Sequence, residues 1–412
     1  MMPAAPAFPG RVSLLALAAG MPLGMIVATR SATAMLVFAA VAAVVSFWGT
    51  WREYFSRIAQ SAGTDGLAQA AAAAAAFSAV SLLWTHDRTG GVWQFLEMLL
   101  PAAAFAVLWR PGANPPPGWA ENLLLLCVLV ASVIVVADLR SDLVLRKTIG
   151  AREASFAYNR PVVLLVLTLF PLASMLAQKR RFPALLTAFA AVASAAYSSE
   201  SGAALVALCG GMIAAMAALA APRLMHWLGL AGLAAGFALA PAAGRLLAMA
   251  LPESVLTVTA SMNSSARIRI WQAYGGAVET APLKGAGFGS SVSLDKAGLS
   301  HGLPPDLSVL LGAGHPHNMF LQVWVELGAI GVLLTGLSIA LAYLRYVNPQ
   351  SHGFAWRFGF TAAAAAIAFV SHGAWQGWYW SIIAACGIWF SLTAGPAMEH
   401  GGSLKTAGHG PT

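Results

Sequence analysis

Charged residues make up only 9% of this 412-residue chain, whereas soluble domains carry roughly 25%. That scarcity excludes an ordinary globular protein with water on every side. Cysteine is almost absent as well: Cys127, Cys209 and Cys386 each lie inside an apolar run, with no C-x-x-C pair, so neither a disulfide framework nor a zinc site is indicated. No D-x-D motif or close carboxylate pair occurs between the late apolar runs, where Glu253, Glu279, Asp295 and Asp306 are dispersed. A metal-independent chemistry is therefore preferred to a metal-assisted one. The net charge of +8 comes without a basic stripe interleaved with aromatics, so nucleic acid is not expected as a partner. Anionic lipids and phosphates suit the scattered cations better. No internal repeat is found.

What the chain does have is apolar length. Hydrophobic residues form 59% of it, and one membrane span needs about 20 of them. Twelve runs of span length, from 12–28 to 376–394, predict an all-α integral membrane protein with about 12 transmembrane helices in one polytopic domain, 1–412. The first run follows Arg11; its length and Pro22 favour a retained span over a cleaved leader. The ninth and tenth runs, 226–243 and 318–344, bracket a large loop, 244–317, in which short helices are expected. With the N-terminus inside, short inner segments hold Arg52, Arg57, Arg110, Lys179, Arg180, Arg181, Arg223, Arg345 and Arg357, while short outer loops hold only Arg30 and Arg88. This asymmetry places the N-terminus in the cytoplasm. Two longer outer segments break the bias: 138–160 carries Arg140, Arg146, Lys147, Arg152 and Arg160, and 244–317 carries Arg245, Arg267, Arg269, Lys284 and Lys296. Long loops escape the rule; the functional alternative is that these cations face an anionic substrate. Residues 395–412 read as a disordered cytoplasmic tail.

Candidate chemistry gathers around that loop. His315-Pro316-His317-Asn318 puts a titratable ring where a membrane helix begins, and Pro and Asn are helix-starting residues. Ser264 or Ser265 can cap a helix running to about Thr280, ended by Pro282. At 100° per residue, Arg267, Trp271 and Tyr274 share one face of it while Arg269 points elsewhere. The glycine-spaced loop Pro282–Gly289 lets backbone approach another chain or a ligand closely. Glu97 and Glu326 lie inside spans, where carboxylates are functional hypotheses by default; an interhelical hydrogen bond is expected of Glu326, and close helix packing of Gly328 and Gly331. His372, Trp375, Trp378, Tyr379 and Trp380 close the outer end of the last two spans, read as an aromatic belt or, alternatively, as a sugar-stacking surface.

Arg267-x-x-x-Trp271, Pro282-x-x-Gly285-x-Gly287-x-Gly289, His317-Asn318 and Gly328-x-x-Gly331, in that order, resemble the O-antigen ligase and polymerase superfamily of bacterial membrane glycosyltransferases. Asn159-Arg160-Pro161 resembles the arginine those enzymes place at an external helix end. Ser198-Ser199-Glu200-Ser201-Gly202 departs from the pattern, since many relatives have an Arg beside that Gly. The resemblance implies a GT-C-like enzyme of the bacterial inner membrane with a periplasmic active site and no cofactor. Its donor would be an undecaprenyl diphosphate-linked glycan and its acceptor a lipid A–core sugar, transferred with inversion. Arg160 and Arg267 would hold the diphosphate, because a guanidinium offers phosphate a rigid charged fork. Neutral His317 would take the acceptor's proton, its protonation disfavoured by the helix it precedes. Asn318, Trp271, Tyr274, Glu326, Arg269 and His372 would support the site. Alternatives are an O-antigen or exopolysaccharide polymerase, a protein O-oligosaccharyltransferase, or, from another class, a lipid flippase or transporter. The short link Gln178–Arg181, where many carriers have a long inner loop, counts against the last.

Overall fold

A computed structural model describes residues 10–46, 48–109, 115–252, 254, 264–300 and 302–393; Arg110, Glu253 and the 395–412 tail lie outside them. Apolar runs become helices because backbone groups in lipid must bond within their own segment. In chain order these are α1 (Arg11–Val27), α2 (Ala32–Ser46), α3 (Trp51–Thr64), α4 (Gly66–Ser81), α5 (Arg88–Leu108), α6 (Gly118–Arg140), α7 (Asn159–Gln178), α8 (Phe182–Ser198), α9 (Gly202–Ala220), α10 (Pro222–Leu239), α11 (Ala243–Ala250), α12 (Ser264–Thr280), α13 (Met319–Tyr346), α14 (Phe354–Val370) and α15 (Gly377–Thr393). No strand occurs among the described residues. By length and composition α5, α6, α7, α9, the α10–α11 stretch and α13 can each cross a membrane, while α1, α2, α4, α8 and α14 are shorter apolar helices.

The bundle is organised on α7. Every residue from Pro161 to Leu176 is buried, the mark of a helix apolar all round and enclosed on all sides. Its first turn carries Arg160, so the most enclosed helix delivers a cation to one end of the molecule. Packing elsewhere depends on small residues, since lipid removes the hydrophobic drive between helices. At the α9–α14 crossing, a Cβ on Gly211 would fall 2.8 Å from the Gly359 carbonyl oxygen, and one on Gly359 would fall 2.7 Å from that of Gly211.

Polar side chains close the two ends. At one end Glu121, 1% exposed, takes Lys179 at 2.5 Å and Arg181 at 2.9 Å, Arg345 pairs with Asp65, and His226 Nδ1 donates to the Val347 carbonyl at 2.8 Å. At the other, Tyr158 donates to Asp138 at 2.6 Å, Ser155 bonds Glu200, and His86 meets Ser293 at 2.7 Å.

Candidate active site

His317 sits immediately before α13 with φ of +55°, a left-handed conformation uncommon for a side chain with a Cβ. Three bonds hold it there. Its Nδ1 lies 2.9 Å from the Ser371 carbonyl, its backbone N–H donates to His315 Nδ1 at 3.1 Å, and the Trp271 indole N–H donates to the Pro316 carbonyl at 2.8 Å. A carbonyl can only accept, so the neutral ring carries its proton on Nδ1 and leaves the Nε2 lone pair free. Burial first, and then the charge of Arg267, hold the His317 pKa below its ordinary value, although the Ser371 bond pulls the other way. The pKa is thus lowered, but by desolvation and Arg267 rather than by the helix from which the lowering was expected.

Arg160 and Arg267 approach the same histidines from different elements. The His315 pKa is pushed down to about 4 by burial, by His317 and by Arg160; that of His372 is pushed to about 3 by burial and then by the charges of Arg160, His315, His317 and Arg267. The Arg160 guanidinium lies 5.4 Å over the Trp378 ring, and Trp378 in turn packs edge-on to His372 at 4.8 Å. Neither arginine forms a salt bridge with a carboxylate among the described residues. Arg269, two residues on from Arg267, is exposed and paired with Asp306 at 2.9 Å. The helical register that separated these two arginines is the one the structure has. Tyr274 is fully buried, and its hydroxyl reaches the Leu311 carbonyl at 3.2 Å, so it braces the loop from within. Asn318 caps α13, its Oδ1 accepting from Leu321 N at 3.0 Å, while its buried Nδ2 has no hydrogen-bond partner among the described residues.

The glycine segment is a wedge. Helix α13 breaks at Gly328, with φ of +60° and ψ of −166°, a region open essentially to glycine alone. Into the break comes residues 282–289: Ala286 N donates to Val325 O and Gly287 N to Glu326 O, both at 2.8 Å, while Ala329 N donates to Pro282 O at 2.8 Å. A Cβ on Gly285 would lie 2.4 Å from the Glu326 carbonyl carbon, and one on Gly328 2.4 Å from that of Leu283. The fully buried Glu326 carboxylate clasps the wedge, accepting from Gly289 N at 2.5 Å, Ser291 N at 3.3 Å, Gln322 Nε2 at 2.8 Å and Trp375 Nε1 at 2.6 Å. The far side of the wedge meets the turn between α4 and α5. Phe288 N donates to Ser81 Oγ at 3.0 Å, and Gly287 and Gly289 leave room for Thr85 and Gly91.

Three expectations are corrected by this geometry. Gly328 does not serve helix–helix packing; it interrupts what reads as one continuous span, so that backbone pairs with backbone, and a Cβ on Gly331 would strike Leu327 of its own helix at 2.0 Å. Glu326 bonds the wedge and the segment before α15 rather than a facing helix. Trp378 and Tyr379, each 1% exposed, are neither a lipid belt nor an open stacking surface but part of the site's inner wall. The α4–α5 turn and the partnership of Arg160 with Trp378 had no local signal, since both join residues far apart in sequence.

An all-helical fold with apolar helices of spanning length, carrying a half-buried cluster of imidazoles and guanidiniums at one end, defines a multi-pass membrane protein with a polar site. Residues 157–336 match the family model described as O-antigen ligase, and that segment therefore carries an O-antigen ligase domain. It includes Arg160, Arg267, His317 and Gly328 but not the α4–α5 turn, His372 or Trp378. Among curated proteins no match to the chain is found.

Proposed function

We propose that the protein is an O-antigen ligase of the bacterial inner membrane, moving polysaccharide from undecaprenyl diphosphate to a lipid A–core sugar at the periplasmic face. The observation that carries this reading is the meeting of a histidine with a free Nε2 lone pair and two arginines that form no salt bridge among the described residues, within the O-antigen ligase domain. The acceptor hydroxyl gives its proton to His317 Nε2 as its oxygen bonds to the anomeric carbon of the glycan. The bond from that carbon to the diphosphate oxygen breaks on the opposite side, and its electron pair leaves with the diphosphate. Arg160 and Arg267 offset that growing charge, and the proton on His317 passes to solvent. Attack opposite the leaving group inverts the anomeric centre.

The grouping of polar contacts supports twelve alternating crossings. Lys179, Arg181, Arg345 and His226 meet partners at one end, and His86, Ser155 and Tyr158 meet theirs at the other, as alternation from a cytoplasmic N-terminus requires. The test is a deletion strain examined for lipopolysaccharide and lipid-linked glycan together. Loss of the ligase leaves long lipid-linked polymer unattached; single repeats on core would instead identify a polymerase, and repeats trapped inside a flippase. Purified enzyme is expected to keep its activity in chelator, and activity restored only by magnesium or manganese would refute the metal-independent mechanism.

A further inference from the structure

Glu97 is a carboxylate that the mechanism above does not use. It lies nine residues into α5, where Leu96, Leu99 and Leu100 are exposed to the surroundings while Glu97 turns inward against α15. Its Oε1 accepts from Gly377 N, the first amide of α15, at 3.3 Å. The approach is tight: a Cβ on Gly377 would fall 2.8 Å from Glu97 Cγ. The next residue, Trp378, has Arg160 lying over its ring, so carboxylate and guanidinium bracket the same first turn of α15. The charge of Glu97 acts on Arg160, as do those of Arg30 and Arg152. An amide would satisfy Gly377 equally well, and a charge within an apolar helix is costly. Helix capping therefore explains the position of the side chain but not its charge.

We propose that Glu97 is a positioning residue whose negative charge, held at the same first turn of α15 that Arg160 overlies, limits how tightly the site holds a lipid diphosphate and so speeds release of the leaving group. The reasoning is electrostatic. Two arginines and the field of Arg30 and Arg152 would retain a polyanionic product strongly in a half-buried site, and a fixed like charge nearby offsets part of that attraction without moving. The inference rests on the reading of Arg160 as a diphosphate ligand.

The experiment compares full-length wild type with Glu97→Gln, which keeps the bond to Gly377 and removes the charge. Binding of farnesyl diphosphate is measured directly, and kcat and KM for the lipid-linked donor are measured separately. The affinity of the variant should rise roughly 3- to 30-fold, the scale of one partly shielded like charge; its donor KM and kcat should both fall, because product leaves more slowly. Unchanged or weaker binding would overturn the proposal, as would a lower kcat with unchanged KM. Glu97→Ala removes the same charge and carries the same expectations if the amide variant does not fold. Arg160→Gln separates the two layers of argument. If it abolishes farnesyl diphosphate binding while Glu97→Gln changes nothing, only the role of Glu97 fails. If Arg160→Gln has no effect, the diphosphate site itself is misplaced.

Discussion

At the scale of single residues, the free lone pair of His317 Nε2 makes a kinetic statement. His317→Ala should leave donor binding intact and cut turnover by roughly 10²- to 10⁴-fold, the usual worth of a general base; near-normal turnover in single-turnover assays would remove His317 from the chemistry. The pH profile follows with a definite sign. Because burial and Arg267 depress the histidine's pKa, the ring stays neutral and competent at pH 7, and the rate should fall only as pH drops below the ordinary histidine value. Arg267→Gln removes one of those pressures, so any residual activity should lose its acid tolerance first, the falling limb moving to higher pH. Arg160→Lys and Arg267→Lys should both weaken transfer strongly, since a point charge cannot reproduce a forked grip. Arg269→Lys should be mild, because its pair with Asp306 is more than half exposed on both sides. Steady-state kinetics of the three variants check the order.

At the scale of elements, the seam between the wedge and broken α13 is where sequence and structure part company. The separation of Arg267 from Arg269 was legible because a helical period fixes which residues share a face. The break at Gly328 was not, because Met319 to Tyr346 reads as one apolar run, and a break is favourable only when another backbone supplies the missing bonds. The glycine spacing announced a close approach without naming its partners, which lie near residues 81–91 and 326–330. Gly328→Ala should prevent accumulation of folded protein, since both φ and the 2.4 Å approach to Leu283 oppose a Cβ. Glu326→Leu should lower the melting temperature in detergent by leaving four donors without their acceptor, at about 1–3 kcal/mol for each one left buried. Glu326→Gln should retain more of it. Equal melting of both variants with wild type would mean that the clasp holds nothing.

At the scale of the whole molecule, a prediction concerns sidedness. Cysteine at Ser265, on the exposed start of α12, should react with an impermeant reagent in intact spheroplasts. Cysteine at Gln350, at the opposite end, should react only after lysis. Cys209 is the exposed native thiol and is replaced first, Cys127 and Cys386 being buried. The reverse pattern would invert the molecule and place the site in the cytoplasm. Composition made the membrane fold legible, because scarce charge leaves few other solutions. The gathering of the site was less so, since it depends on which helices touch.

The wedge of residues 282–289 also bears on how such a protein can be altered or inherited. One of its faces is filled by the broken helix and the other by the turn after α4, nearly 200 residues earlier in the chain. The O-antigen ligase domain is therefore not a portable cassette. Exchanged for that of another protein, it would meet a foreign turn at Thr85 and Gly91, and a side chain as small as alanine at position 91 would collide with the Phe288 carbonyl 2.8 Å away. The α4–α5 turn and the start of α15 must change in concert with the segment that matches the family model.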